Sequence, residues 1–214
     1  MKLKNKILRI TCDGGAATGK STGSKLLAKK YGLAFLSSGL LYRYAAYLNL
    51  KYKPKNKINF LKKKFKVLKY KNLNRINLHT PKISIETSKL AQILAIRNIL
   101  KKYQKDFIKK NHRCILEGRD ASTKILPNSN IKFFFICNLN TAAKRRYKEL
   151  SKRLNNLSFI EVKRALYKRN LSDKNRSISP LQKHPDAVVV NSTKIGKQAM
   201  LAKMSKIVDK FLNK

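Results

Sequence analysis

Short apolar runs alternate along this chain with longer stretches whose apolar positions recur at helical spacing. Ile7-Leu8-Arg9-Ile10-Thr11-Cys12 is β-branched and apolar and predicts a buried strand. Ser24 to Tyr31 has a helical pattern, with Gly32 as its stop. Leu33 to Leu36 predicts a second strand, and a helix follows from about Gly39 with Ser38 as its cap. From Lys51 to about Thr87 the pattern changes. Phe60 to Tyr70 alternates in part; Arg75 to His79 and Lys82 to Glu86 alternate more cleanly, which predicts a small antiparallel sheet. Ser88 to Phe107 then reads as one helix, with Leu90, Ile93, Leu94, Ile96, Ile99 and Leu100 as its apolar positions.

The second half repeats the alternation. Cys114 to Asp120 is a strand and its exit, Ile131 to Cys137 is an almost wholly apolar strand, and Asp186 to Val190 is a third. Helices are expected over Ala142–Leu154, Phe159–Asn170 and about Lys197–Leu212, with a polar loop from Asp173 to Leu181. The expected architecture is α/β: a five-stranded parallel sheet wrapped by helices, a small inserted antiparallel β subdomain and a helical lid. In domain terms this is a single unit over 1–214, with its core at 1–50, 88–144 and 182–214, an insert at about 51–87 and a lid at about 145–181.

Between the first strand and the first helix stands Gly14-Gly15-Ala16-Ala17-Thr18-Gly19-Lys20-Ser21-Thr22. Gly14 and Gly19 bracket four residues and Lys20-Ser21 follows, the spacing of a phosphate-binding loop. Glycines let the backbone turn tightly beside a polyphosphate, and the N–H groups that run into the helix start form an anion site. Lys20 would reach the β- and γ-phosphates, and the Ser21 hydroxyl would hold Mg²⁺.

Composition modifies this picture in two places. The 214 residues include 51 Lys and Arg against 10 Asp and Glu, a net charge of +41, which by itself points to nucleic acid or an anionic membrane. The lysines are spread along the whole length with many asparagines and isoleucines, as AT-rich coding would supply; non-specific polyanion binding still follows from such a charge. The scarce acids Asp13, Glu117, Asp120 and Asp173 therefore each call for a specific explanation. The three cysteines, Cys12, Cys114 and Cys137, lack metal-ligand spacing, and their odd number, with no cleavable apolar leader, predicts buried thiols in a reducing cytoplasm. No apolar run approaches the ~20 residues of a membrane helix.

Beyond the loop, further pieces carry a resemblance. They are Ser38-Gly39-Leu40-Leu41-Tyr42-Arg43, Ser88 with Arg97, Glu117-Gly118-Arg119-Asp120, Arg145-Arg146-Tyr147-Lys148-Glu149-Leu150, and Arg169 with Asp173, Asn175, Arg176, Pro180 and Leu181. The chain resembles the bacterial cytidylate kinases, P-loop nucleoside monophosphate kinases, from its first strand to its last helix. The resemblance implies transfer of the γ-phosphoryl of ATP to CMP or dCMP, with Mg²⁺, by a monomer that acts on these nucleotides in the cytoplasm and has no membrane partner. It assigns Ser88, Arg97 and Asp120 to the cytosine edge and Arg169 and Asp173 to the sugar. Ser38, Arg43, Arg119 and Arg176 fall at nucleotide-binding positions, the arginines as phosphate clamps beside Lys20. Arg145 and Arg153 resemble flap residues that close on ATP.

Some positions depart from the family pattern: Ser37 and Asn170 stand where an acid is usual, and Ser122-Thr123 where Gly-Thr is usual. The residues leave two other readings open. One is another small P-loop kinase, for UMP or a different acceptor, although the Asp120 carboxylate would face a uracil carbonyl unfavourably. The other is a basic polyanion-binding protein.

Overall fold

A computed structural model describes residues 6–152 and 156–213. Two compact units divide the chain: the first combines residues 1–35 and 112–214, the second spans Leu36–Asn111. The second is wider than the 51–87 insert expected from the pattern.

The sheet has five strands among the described residues, β1 (Leu8–Gly14), β2 (Ala34–Ser37), β3 (Arg113–Gly118), β4 (Ile131–Ile136) and β5 (Val188–Asn191), in the order β2-β3-β1-β4-β5. β1 pairs in parallel with β3 and β4, and β4 with β5. The register sets Asp13 beside Gly118 and Gly14 beside Phe135, so the loops after β1 and β3 leave the same edge of the sheet. That edge, at the carboxyl ends of parallel strands, is where α/β proteins bind ligands.

In the first unit, Leu8, Ile10 and Cys12 alternate onto one buried face of β1 with Phe133 and Phe135 of β4. They pack against α1 (Lys20–Tyr31) and against Met200, Met204 and Val208 of α8 (Lys197–Leu212). Gly14 has φ +151°, and a Cβ there would lie 2.4 Å from the Phe135 carbonyl oxygen. Only glycine lets β1 turn into the loop against β4.

The second unit is helical: α2 (Ser38–Tyr52), α3 (Lys57–Lys66), a 3-10 turn at Tyr70–Arg75, α4 (Pro81–Leu90) and α5 (Leu94–Lys110). The inserted antiparallel sheet expected from the sequence is therefore corrected: no strand forms between residues 51 and 87. In α3 the buried positions are Leu61 and Phe65, four apart, and Asn56 caps the helix by accepting from Asn59 N–H. In α4 the buried positions are Ile83, Thr87 and Leu90, whereas Ile85, the other apolar residue of the apparent alternation, is 61% exposed. Thr80 at the cap and Pro81 in the first turn start α4.

The single helix expected over Ser88–Phe107 is also corrected. α4 ends at Leu90, and α5 starts at Leu94 after an extended Ile93. Arg97 Nη1 donates to the Ala91 carbonyl (3.1 Å), which satisfies one of the acceptors that the broken helix leaves behind. Ser37, not Ser38, caps α2, its hydroxyl accepting from Leu40 N–H.

In the first unit, α6 spans Leu139–Leu150 and α7 spans Phe159–Asn175. α7 thus runs through Asp173, which the sequence pattern put in a loop. Among the described residues no helix is long and apolar enough to cross a membrane.

Candidate active site

Residues 14–22 run from the end of β1 through a tight turn into α1. Gly19 (φ +82°) and Ala17 (φ +57°) take left-handed conformations, and the backbone passes directly into α1 at Lys20. Left-handed residues alternating with right-handed ones let successive N–H groups converge on one side of a turn, the form that suits an anion. The Gly15 carbonyl is turned inward and accepts from Lys20 Nζ (2.9 Å) and Thr18 Oγ1 (3.0 Å). Ser21 is exposed at the start of α1 and Thr22 is half-buried.

Lys20 is buried, with Glu117 Oε1 3.7 Å from its ammonium. Burial, followed by the Arg119 charge, lowers its pKa from 10.5 to about 7, against the pull of Glu117. Between about pH 7 and 10.5 the unfolded chain holds a proton here that the folded, nucleotide-free protein lacks. This site therefore makes the fold more stable as pH rises through that window. Phosphate oxygens beside the amine would recharge it. At pH 8, ATP binding is expected to take up close to one proton, measured by calorimetry in two buffers of different ionisation enthalpy. Absence of uptake would contradict the lysine–phosphate contact.

Asp13, at the end of β1, is almost wholly buried. Its carboxylate accepts from Ala121 N–H (2.9 Å), Ser122 N–H (2.7 Å) and the Ser122 hydroxyl (2.6 Å). Burial raises its pKa, and these three hydrogen bonds oppose the rise. They pin the single π-helical turn at Ala121–Ile125, directly after Asp120, to the strand that carries the phosphate loop. Asp120 is itself 5% exposed.

A cationic cluster gathers on Asp173. Arg119 Nε donates to Asp173 Oδ2 (2.9 Å), and Arg176 Nη1 lies 3.5 Å from Oδ1. Burial alone would raise the Asp173 pKa; Arg119, Arg169 and Arg176 outweigh it and hold the carboxyl below its ordinary value. Arg169 Nε is buried with no hydrogen-bond partner among the described residues, and burial, reinforced by Arg119, lowers this guanidinium to about 10. Lys20, Arg119, Asp120, Arg169, Asp173 and Arg176 all belong to the first unit.

The second unit holds Ser38, Arg43, Ser88 and Arg97. Arg43 is not the surface charge that composition alone would suggest: it is buried, with Nη1 donating to the Leu78 carbonyl (2.9 Å) and the Ser84 hydroxyl (3.0 Å). Ser88 Oγ donates to the Ser84 carbonyl (3.3 Å), so Arg43 and Ser88 meet through Ser84. The Arg97 guanidinium lies 5.5 Å from the ring centre of Tyr42, the residue before Arg43. Ser38 is buried at the start of α2.

Arg145 donates to the Ser192 hydroxyl (3.0 Å) and carbonyl (2.6 Å), while the Ser192 hydroxyl donates to Thr18 O (2.7 Å). Arg153 lies outside the described residues. Two contacts on the loop had no place in the sequence reading. One is this Ser192 bridge; the other is Asn170, whose Oδ1 accepts from Ala16 N–H at 2.9 Å. The only sequence signal for Asn170 was an amide beside Arg169 where an acid is usual.

Two features suit a divalent cation beside the loop. Ser21 offers a hydroxyl, and the buried Glu117 Oε2 has no hydrogen-bond partner among the described residues. Among those residues no group of three or more His, Cys, Asp or Glu converges. Single oxygen ligands suit Mg²⁺, which completes its octahedron with phosphate and water.

The family model described as Cytidylate kinase matches residues 10–210. A protein named Cytidylate kinase from Thermosipho melanesiensis is 34% identical over 213 residues, covering 94% of this chain and 96% of its own. One of the same name from Clostridium tetani is 31% identical, covering 96% and 95%. Among solved structures, a shikimate kinase from Bacteroides thetaiotaomicron aligns over 94% of this chain and 98% of its own, with a TM-score of 0.51 at 9% identity, a likeness of fold alone.

Proposed function

The chain belongs to the cytidylate kinase family, and on that footing we propose that it converts CMP and dCMP to CDP and dCDP with ATP as phosphoryl donor. The observation that carries the reading is the pairing, within one unit, of a phosphate loop around buried Lys20 with the Arg119–Asp173–Arg176 cluster. A donor polyphosphate and an acceptor phosphate each need such a cationic site.

In this reading Gly14 to Thr22 cradle the ATP phosphates, and the Lys20 ammonium moves from the Gly15 carbonyl onto the β- and γ-oxygens. Ser21 holds Mg²⁺, which when bound screens the charge of the phosphates. Asp173 orients Arg119 and Arg176 so that their remaining N–H groups fork onto the acceptor phosphate. Arg43 and Ser38 are assigned to that phosphate as well. The acceptor is a phosphate already nucleophilic at neutral pH, so no general base is required, and catalysis rests on positioning and cation placement.

Asp120 accepts from the exocyclic amine of cytosine, while Ser88 and Arg97 read the rest of its edge; Arg169 and Asp173 take the sugar. The polypeptide works as one kinase domain, a cytoplasmic monomer, with residues 145–181 as its lid. ADP formation from ATP should require both Mg²⁺ and a cytidine monophosphate. ADP formed equally fast without an acceptor would overturn the reading.

A further inference from the structure

The loop is held from one side by a residue that the phosphate-binding motif does not include. Along α7, Leu166, Asn170 and Asp173 follow at helical spacing and share a face. Leu166 packs with Ala16, Ala142 and Ala143. One turn on, Asn170 Oδ1 accepts from Ala16 N–H at 2.9 Å, and its amide lies flat against Gly15, where an added Cβ would meet Oδ1 at 3.2 Å. A further turn on, Asp173 holds Arg119 and Arg176. One helix face thus grips the donor loop and the cationic cluster together, and Asn170 is its only hydrogen bond to the loop backbone among the contacts described.

We propose that Asn170 is a positioning residue for phosphoryl transfer: by taking the Ala16 N–H it fixes the phosphate loop at a set distance from the Arg119–Asp173–Arg176 cluster. The role rests on the kinase reading above. The required chemistry is an acceptor at the Oδ1 position. Asp supplies one, one turn from the Arg119–Asp173–Arg176 cluster; Ala does not. Alanine is the best helix former, so Asn170→Ala leaves α7 intact.

Two measurements decide. Misplacing reacting groups by about 1 Å costs on the order of 10²-fold in rate. Asn170→Ala should lower kcat by about 10- to 100-fold, with both KM values within about threefold, and Asn170→Asp should restore kcat to within about threefold of the parent. Unchanged kcat in Asn170→Ala, or an Asp variant as slow as the Ala variant, overturns the proposal. Independently of turnover, Ala16 amide hydrogen exchange read by NMR should quicken about tenfold in Asn170→Ala and stay slow in Asn170→Asp. Equal exchange in all three proteins overturns the clasp. If the parent protein made no CDP, the kinase reading would fail while the exchange experiment still ruled on the clasp.

Discussion

Lys20→Met should lower kcat by about 10³-fold, the scale expected when a charge that stabilises a transferred phosphoryl group is removed. Lys20 is the buried lysine at the start of α1, recharged when phosphate binds, so no exposed lysine of this basic chain replaces it. Its loss leaves the buried Glu117 carboxylate without its 3.7 Å partner, which is itself destabilising. Melting of the double variant Lys20→Met/Glu117→Gln isolates the stability effect: it should melt close to the parent, while the rate effect is read from the folded single variant. Recovery of activity in the double variant would mean that the lysine acts only through the fold.

Asp120→Ala should cut kcat/KM for CMP by about 10²- to 10³-fold and bring CMP and UMP within about tenfold of each other. A site built to hydrogen-bond one substrate group discriminates strongly against substrates that lack it. The geometry supports a rigid reader: Asp120 is buried, and the two N–H groups that follow it are both held by Asp13. Asp120→Asn sharpens the test, because an amide donates to a carbonyl as readily as it accepts from an amine. It should raise UMP turnover relative to CMP. Parallel loss with both acceptors would assign Asp120 to structure and leave the base reading without support.

The parts legible in the sequence share a physical reason. The phosphate loop is contiguous, so its chemistry is written in consecutive residues. β1 and β4 are buried inside the sheet and read as apolar runs; Ile131 to Ile136 needs no periodicity to be recognised. The misreadings also have causes. In the 51–87 segment, lysines and asparagines fill most of the exposed positions, and short windows of alternation arise by accident. Only burial distinguishes Ile83 from Ile85 and reveals the helical spacing of Leu61 and Phe65. The break between α4 and α5 is hidden because apolar positions continue through it, and it is held by Arg97 reaching back to the Ala91 carbonyl.

The candidate site was legible only where residue type carried the role. Arg119, Asp120, Arg169, Asp173 and Arg176 stand out as scarce acids, or as arginines set beside them. Asn170 and Ser122 stand out in the sequence only as departures from the family pattern, with nothing to say what they touch. Their contacts, with Ala16 154 residues away and with Asp13 109 residues away, exist only in the folded chain.

The most direct test of the account is the rate of ADP release from Mg²⁺ and ATP with CMP, dCMP, UMP and AMP as alternative acceptors. With CMP and dCMP, kcat/KM should lie at least about 10²-fold above that with UMP and AMP. UMP turned over as well as CMP would contradict it.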